Sequence, residues 1–307
     1  MPADRIVIAG ASGFVGRVLA GELAAAGREI VALSRDPERA RRRLPEAIAV
    51  AGWDGRTAGD WVLSVDGAAA VVNMAGDSLA QGRWTEAKKR RILDSRLQAG
   101  AALVEAVRRA ATRPLVFVQA SAVGFYGDPG ESEIDENARP GAGFLSEVAR
   151  QWEDSTREIE DLGVRRVVIR SGLVLGAGGG AWPSLARPFR FFVGGPLGAG
   201  RQWVSWISLD DEVRAIRFLV ERADLAGPFN LVAPRPLRQR GLCRAIGRAM
   251  RRPCWMPAPA LLLRALFGEK ARQTLLVSQR IVPERLIAAG FEFRYAEAAA
   301  AVAALVR

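Results

Sequence analysis

Short apolar runs alternate with stretches of helical periodicity over the first two thirds of the chain. The run IVIA at 6–9 has the character of a strand buried on both faces of a parallel sheet. Gly10, Gly13 and Gly16 follow at a spacing of three, and Val15, Leu19 and Leu23 then recur at helical spacing. Gly27 stands where a helix-ending glycine belongs. Further strands are expected at 29–33, 48–51, 68–72, 115–119 and 164–169. Thr85 is the expected N-cap of a long helix running to about Arg109, with Leu97, Leu103, Val104 and Val107 as its buried stripe. Residues 144–161 read as one helix. Strands that alternate with helices predict a doubly wound parallel sheet covered on both faces. Beyond Trp182 the pattern changes to loops and helices. Residues 203–207 read as one short strand, Ser208 to Asp211 as a capping box, and 228–232 as a returning strand. Residues 237–307 read as helical, with breaks at Pro253, Pro257, Pro259 and Pro283.

The strand, glycine turn and helix that open the chain predict a dinucleotide site. Gly10 permits a sharp turn, Gly13 clears space for a pyrophosphate, and Gly16 lets helix and strand pack closely. With Ser12, Phe14 and Val15 these residues form the candidate cradle, where a helix N-terminus offers free N–H groups and partial positive charge. The second strand ends in Ser34-Arg35-Asp36, about 20 residues on, where a dinucleotide ribose is met. Ser34, Arg35 and Arg39 suit a 2′-phosphate, which favours NADP(H) over NAD(H). The alternative is that Asp36 binds the ribose and Arg35 is a surface charge. Ala75 and Gly76 end the fourth strand with little bulk, so a cofactor can lie against the backbone. The fold class is therefore α/β, a Rossmann-like doubly wound parallel sheet with a smaller, mainly helical C-terminal part. The Rossmann part is expected at 1–175, completed by about 204–232, and the C-terminal part at 176–203 and 233–307.

Composition narrows the chemistry. Histidine is absent, which removes a His base, a Ser-His-Asp triad and any His-ligated metal. Cys243 and Cys254 lack zinc-type spacing partners and read as reduced thiols of a cytoplasmic protein, so no metal is expected. No apolar run reaches the about 18 residues of a membrane span, and the N-terminus lacks a signal peptide. The net charge is +11. Read as arginine scattered over many helices, it does not make nucleic acid or membrane an expected partner. Lys88-Lys89-Arg90-Arg91 reads as a solvated helix face.

GASGFVG, the NMAG strand end, ASAVGFYG, IRSGLVLG and GRQWVSWISLDD together resemble the extended short-chain dehydrogenase/reductases. Arg83-Trp84-Thr85, Ser95-Arg96, GGPLGAGRQW and LLVSQRIVPERLIAAGFEF resemble more narrowly the nucleoside-diphosphate-sugar epimerase-like branch, including its C-terminal domain of unknown function. The resemblance implies cofactor across the strand ends, a C-terminal part (176–203 and 233–307) that is a smaller substrate lobe, a small-molecule substrate such as a sugar nucleotide in the cleft between the two lobes, and allows a homodimer. Active members of the superfamily pair a Tyr with a Lys four residues later. Here Tyr126 is followed at that spacing by Gly130, and Tyr295 by Ala299, so the dyad is missing. Ser121 stands where the superfamily has its substrate serine. Tyr126 is the candidate proton donor or a packed aromatic, and Arg96 supplies positive charge near the site. Lys88 and Lys89 are weaker candidates for that charge. Arg201 beside Trp203 suits an anionic ring-bearing substrate. Three readings follow: an NADP(H)-dependent oxidoreductase or epimerase with a rearranged proton donor, a non-catalytic NADP(H)-binding redox sensor, and, ranked last, a nucleic-acid-binding protein using the basic charge.

Overall fold

The computed structural model describes residues 4–306. Its central sheet has seven strands: β1 Arg5–Ala9, β2 Glu29–Ser34, β3 Ala49–Gly52, β4 Ala70–Asn73, β5 Val116–Ala122, β6 Arg165–Ser171 and β7 Gly227–Leu231. They lie in the order β7-β6-β5-β4-β1-β2-β3, and every pairing is parallel. This is the expected doubly wound sheet. Chain order reverses between β1 and β4, which opens a crevice beyond their carboxyl ends.

Eleven helices accompany the sheet: α1 Phe14–Ala25, α2 Pro37–Arg41, α3 Glu86–Arg109, α4 Phe144–Asp154, α5 Glu158–Asp161, α6 Trp182–Arg190, α7 Leu209–Glu221, α8 Gln239–Met250, α9 Ala260–Phe267, α10 Glu284–Ala288 and α11 Ala298–Val306. Alternate strand residues point to opposite faces, so the sheet sits between two cores. Ile6, Ile8, Ile30, Val72, Val118 and Ile169 pack with Leu19 of α1 and Ile216 of α7. Val7, Val31, Val71 and Phe117 pack with Leu103 and Val107 of α3. A third core joins Trp182 and Phe189 of α6, Leu242 and Ile246 of α8, and Val302 of α11.

Local signals set several boundaries as expected. Gly27 has φ +84° just beyond α1, and Thr85 Oγ1 accepts from Lys88 N at 3.2 Å to cap α3. Ser208 Oγ accepts from Asp211 N at 3.0 Å to cap α7. Leu103, Val104 and Val107 are buried, while Leu97 is half-buried.

Three expectations need correction. The helix over 144–161 breaks after Asp154, because Ser155 Oγ donates back to Trp152 O at 2.7 Å and the Glu153 carbonyl is claimed by the Arg166 guanidinium. The strand over 203–207 is two strands. Trp203–Val204 runs antiparallel to Leu237–Arg238, and Trp206–Ser208 runs parallel to Leu173–Leu175. Between them the Ser205 hydroxyl exchanges hydrogen bonds with the Ile281 backbone, which turns the chain from one partner to the other. The lysines of α3 are not a solvated face: Lys88 is 6% exposed and its Nζ donates to Asp77 Oδ2 at 2.8 Å.

Candidate functional site

The crevice at the sheet reversal begins at Gly10. Its φ of +87° and its approach to β4 both demand glycine, since a Cβ there would lie 2.7 Å from Met74 O. Gly13 N donates to Gly10 O at 3.0 Å, closing the turn, and Gly13 is the N-cap of α1. No side chain caps this helix and no acid lies in its first turn. The first-turn N–H groups, from Phe14 to Gly16, therefore remain available to an anion. Ser12 and Val15 flank them, half-buried. The Phe14 ring faces away from this opening into the glycine-rich loop 176–180, where a Cβ on Gly179 or Gly180 would come within 2.5 Å of it. Arg17 Nη2 adds a 3.0 Å bond to Gly178 O, tying that loop to α1.

At the end of β2 the polar groups divide into two sets. Asp36 Oδ1 accepts from Arg39 N at 3.0 Å as the cap of α2, so this carboxylate is already engaged. Ser34 Oγ bonds the Asp36 backbone. Arg35 and Arg39 are exposed, and neither guanidinium has a carboxylate partner among the described residues. Asp54, near the same edge, is spent on the N–H groups of Arg56 and Thr57, both at 2.8 Å.

Beyond β4 lie Ala75 and Gly76. Gly76 is required because a Cβ would approach Arg96 Cζ to 2.9 Å. Arg96, on α3, is buried under this strand end. Its Nη1 donates to Ile92 O at 2.8 Å and Asp77 O at 3.1 Å, and its guanidinium lies 4.7 Å from the Trp152 ring. Burial pulls its pKa down to about 10. Arg96 thus braces the strand end from below and does not face the open crevice.

At β5 and α4 the side chains form a closed network. Ser121 Oγ donates to Glu153 Oε1 at 2.6 Å. Arg170, on β6, grips the same carboxylate with two 2.9 Å bonds, from Nε and Nη2. Its Nη1 donates to the Tyr126 hydroxyl at 2.9 Å, and that hydroxyl donates to Asn230 Oδ1 at 2.7 Å. The backbone N–H of Asn230 donates to Glu136 Oε1 at 2.9 Å. The Arg170 guanidinium also stacks 3.6 Å from the Phe125 ring centre. Tyr126 is 4% exposed, and burial pushes its phenol up to about 12. Tyr126 is packed, as one of its two readings expects: its hydroxyl donates to Asn230 and accepts from Arg170, and its proton is harder to remove. The residue of α4 that meets Ser121 is Glu153.

Glu153, Arg170, Asn230 and Glu136 were not among the candidate site residues. Arg170 carried a signal, being a charge at the end of the apolar run VVI, where a buried partner is required. Glu212 of α7 lies at the end of β6. It is 1% exposed, the Ser171 hydroxyl donates to its Oε1 at 2.5 Å, and its Oε2 has no partner. Burial pushes this carboxyl up to about 8.

Arg201 and Trp203 separate. Arg201 is exposed and lines a cavity of about 310 Å³ with Gln202, Arg264 and Ser278. Trp203 has the guanidiniums of Arg238 and Arg280 at 4.1 and 4.9 Å from its ring, and its Nε1 donates to Glu131 Oε2 at 3.0 Å. The arginines that meet its ring are thus Arg238 and Arg280.

Comparison with known proteins agrees with this architecture. Residues 6–232 match the model of the NAD dependent epimerase/dehydratase family, and 258–305 match a domain of unknown function, DUF1731. The chain is 38% identical to Epimerase family protein Mb2239 of Mycobacterium bovis over 290 residues, covering 94% of this chain and 93% of that protein. It is 35% identical to Epimerase family protein YfhF of Bacillus subtilis, covering 98% and 97%. The crystal structure of human epimerase family protein SDR39U1 (isoform 2) with NADPH superposes with a TM-score of 0.89 at 31% identity, covering 98% of this chain and 99% of that one. The glycine turn on a reversed parallel sheet and these full-length similarities lead to one assignment: the chain belongs to the NAD dependent epimerase/dehydratase family.

Proposed function

We infer that this protein binds NADP(H) and acts as an oxidoreductase or epimerase on a small polar carbonyl or alcohol, such as a sugar nucleotide. The observation that carries the reading is the division of charges at the end of β2: one oxygen of Asp36 is tied to the Arg39 N–H as a helix cap, while Arg35 and Arg39 stand without carboxylate partners among the described residues. An acid free to accept from a ribose 2′-hydroxyl would favour NAD(H); two free guanidiniums favour a 2′-phosphate. The NADPH in the human relative supports the same choice.

When bound, the nicotinamide cofactor supplies the hydride chemistry. The turn from Gly10 through Ser12, Gly13, Phe14, Val15 and Gly16 holds the pyrophosphate through its N–H groups. Ser34, Arg35 and Arg39 hold the adenosine end, and Ala75 and Gly76 give a flat floor. Arg96 keeps that floor in place. Ser121 hydrogen-bonds the substrate oxygen, its hydroxyl oriented by Glu153, which Arg170 in turn holds in place. Arg201, with Arg264, holds the anionic part of the substrate.

The locked Tyr126 favours a second reading, a sensor that binds cofactor without turnover. It requires unequal affinity for the oxidised and reduced forms, since equal binding shifts no equilibrium.

Titration with NADPH and NADH, followed by nicotinamide fluorescence, tests the main reading. Wild type is expected to prefer NADPH, and Arg35→Ala to lose about tenfold in NADPH affinity, corresponding to roughly 1.4 kcal/mol, with NADH little changed. Equal loss for both cofactors would remove Arg35 from 2′-phosphate recognition.

A further inference from the structure

The positive charge is not scattered. Residues 176–203 contain three arginines and residues 233–268 contain eight, with no Asp, Glu or Lys in either stretch. These eleven match the whole net charge of +11, so the remainder of the chain is neutral. Two of them have carboxylate partners, Arg235 with Glu297 and Arg238 with Glu131. Arg244, Arg248, Arg251 and Arg252 have none among the described residues, and they line one cavity of about 460 Å³ at the end of α8.

Exposed apolar side chains adjoin this cavity. Phe191 is 66% exposed, Phe192 52%, Trp255 64% and Met256 47%. The geometry makes them one surface with the arginines. The Arg252 guanidinium lies 4.3 Å from the Phe192 ring, Trp255 Nε1 donates to Phe192 O at 2.9 Å, and Trp255 and Met256 both donate from their backbones to Gly194 O. Phe192 has φ +61°, an unfavourable conformation for a phenylalanine, in the turn that carries its ring. The helix that follows, α9, buries only Leu263 and leaves Leu261, Leu262 and Leu266 exposed.

We propose that this face of the C-terminal lobe docks on the surface of an anionic lipid bilayer, with Phe191, Phe192, Trp255 and Met256 entering the headgroup layer and the unpaired arginines contacting lipid phosphates. Projecting apolar groups ringed by unpaired cations are the pattern of interfacial binding. No helix among the described residues is long and apolar enough to cross a membrane, so the contact is peripheral. A second copy of the chain is disfavoured as occupant, because a two-fold contact would bring the same acid-free arginine cluster against itself. Phe191, Phe192 and Trp255 also offer stacking faces to bases, but the aliphatic side chains exposed with them, Val193, Met256 and Leu261, Leu262 and Leu266 of α9, favour the hydrocarbon of a bilayer over a nucleic-acid strand.

Trp255 is the one exposed tryptophan of the eight and reports insertion directly. Phosphatidylcholine vesicles with and without phosphatidylglycerol are added to the full chain, following tryptophan emission and co-sedimentation. The expected result is a blue shift and sedimentation only with the anionic vesicles, weakened by salt. Arg248→Glu with Arg252→Glu should lower the partition coefficient at least tenfold with an unchanged melting temperature, and Phe191→Ser with Phe192→Ser should also lower it. Absence of binding at low salt, equal binding to neutral vesicles, or concentration-dependent dimerisation lost in the arginine variant would each overturn the proposal. So would tight binding of an oligothymidylate without any response to vesicles.

Discussion

At the β1–α1 turn the polar groups point outward without partners; at β5 and α4 nearly every polar side-chain atom already has one. The first-turn N–H groups of α1, Arg35 and Arg39 are all unengaged. Ser121, Glu153, Arg170, Tyr126 and Asn230 are joined by bonds of 2.6 to 2.9 Å. Groups left free at a surface cost little, because water satisfies them until a ligand arrives. Groups buried between strands must find each other or destabilise the fold. The contrast separates groups left free at the surface from groups already paired within the protein, and it separates them by bonding rather than by position in a motif.

The comparison breaks most visibly at Arg170. Its side chain is 6% exposed and that of Glu153 12%, so Arg170→Met leaves a carboxylate buried without its cation. The expected loss is about 3–5 kcal/mol of stability, seen as a large fall in melting temperature or in denaturation midpoint. Arg35→Ala, at the free end, should leave both unchanged. Similar stability losses in the two variants would erase the distinction.

Glu212 sharpens it through pH. Its folded pKa is raised to about 8 from an ordinary 4.5. Below the ordinary value the group is neutral in both states and costs nothing. As pH rises, the unfolded chain releases the proton first, so stability falls until the folded pKa is passed. Glu212→Gln should therefore be more stable than wild type at pH 8, by up to a few kcal/mol on the scale of about 1.4 kcal/mol per pH unit. The advantage should shrink toward pH 4.5. A pH-independent difference in denaturation midpoint would mean that Glu212 does not titrate in this range.

How much of this was legible in the sequence follows the same division. Periodicity and glycine spacing located the sheet, α1, α3 and the glycine turn, because those signals are local: a β–turn–α unit writes its requirements into about twenty consecutive residues. The network at β5 was not legible, because its members lie far apart in the chain. Glu153 meets Arg170 seventeen positions away, and Tyr126 meets Asn230 over a hundred positions away. Tyr126 stayed open between proton donor and packed aromatic because only its loop could be read, not the guanidinium and amide that enclose it. Lys88 looked solvated because its run is uniformly basic, while its partner Asp77 sits in the preceding loop. The charge of the C-terminal lobe was present in the sequence as two stretches without acids. Its meaning depended on seeing which arginines found carboxylates.

The smallest expected effect concerns Tyr126, and it decides between the two readings of that residue. Tyr126→Phe keeps the ring against Phe125, where the two stand edge to face at 5.3 Å, and removes only the hydroxyl. Arg170 Nη1 then loses a strong acceptor, and Asn230 Oδ1 loses its donor in a buried site. A structural role predicts about 1–3 kcal/mol of lost stability. It also predicts NADPH oxidation against a panel of small carbonyls within about threefold of wild type, a change of roughly 0.7 kcal/mol in the barrier. A proton-donor role predicts the reverse: at least tenfold slower turnover with an unmoved melting temperature. The bonding argues for the first, because a phenol held between a guanidinium and an amide and shifted to about 12 is poorly placed to exchange its proton near neutrality. If the second result is found, the network around Glu153 must open when substrate enters. Ser121 and Tyr126 would then act together, and the closed arrangement would be the resting state of the site.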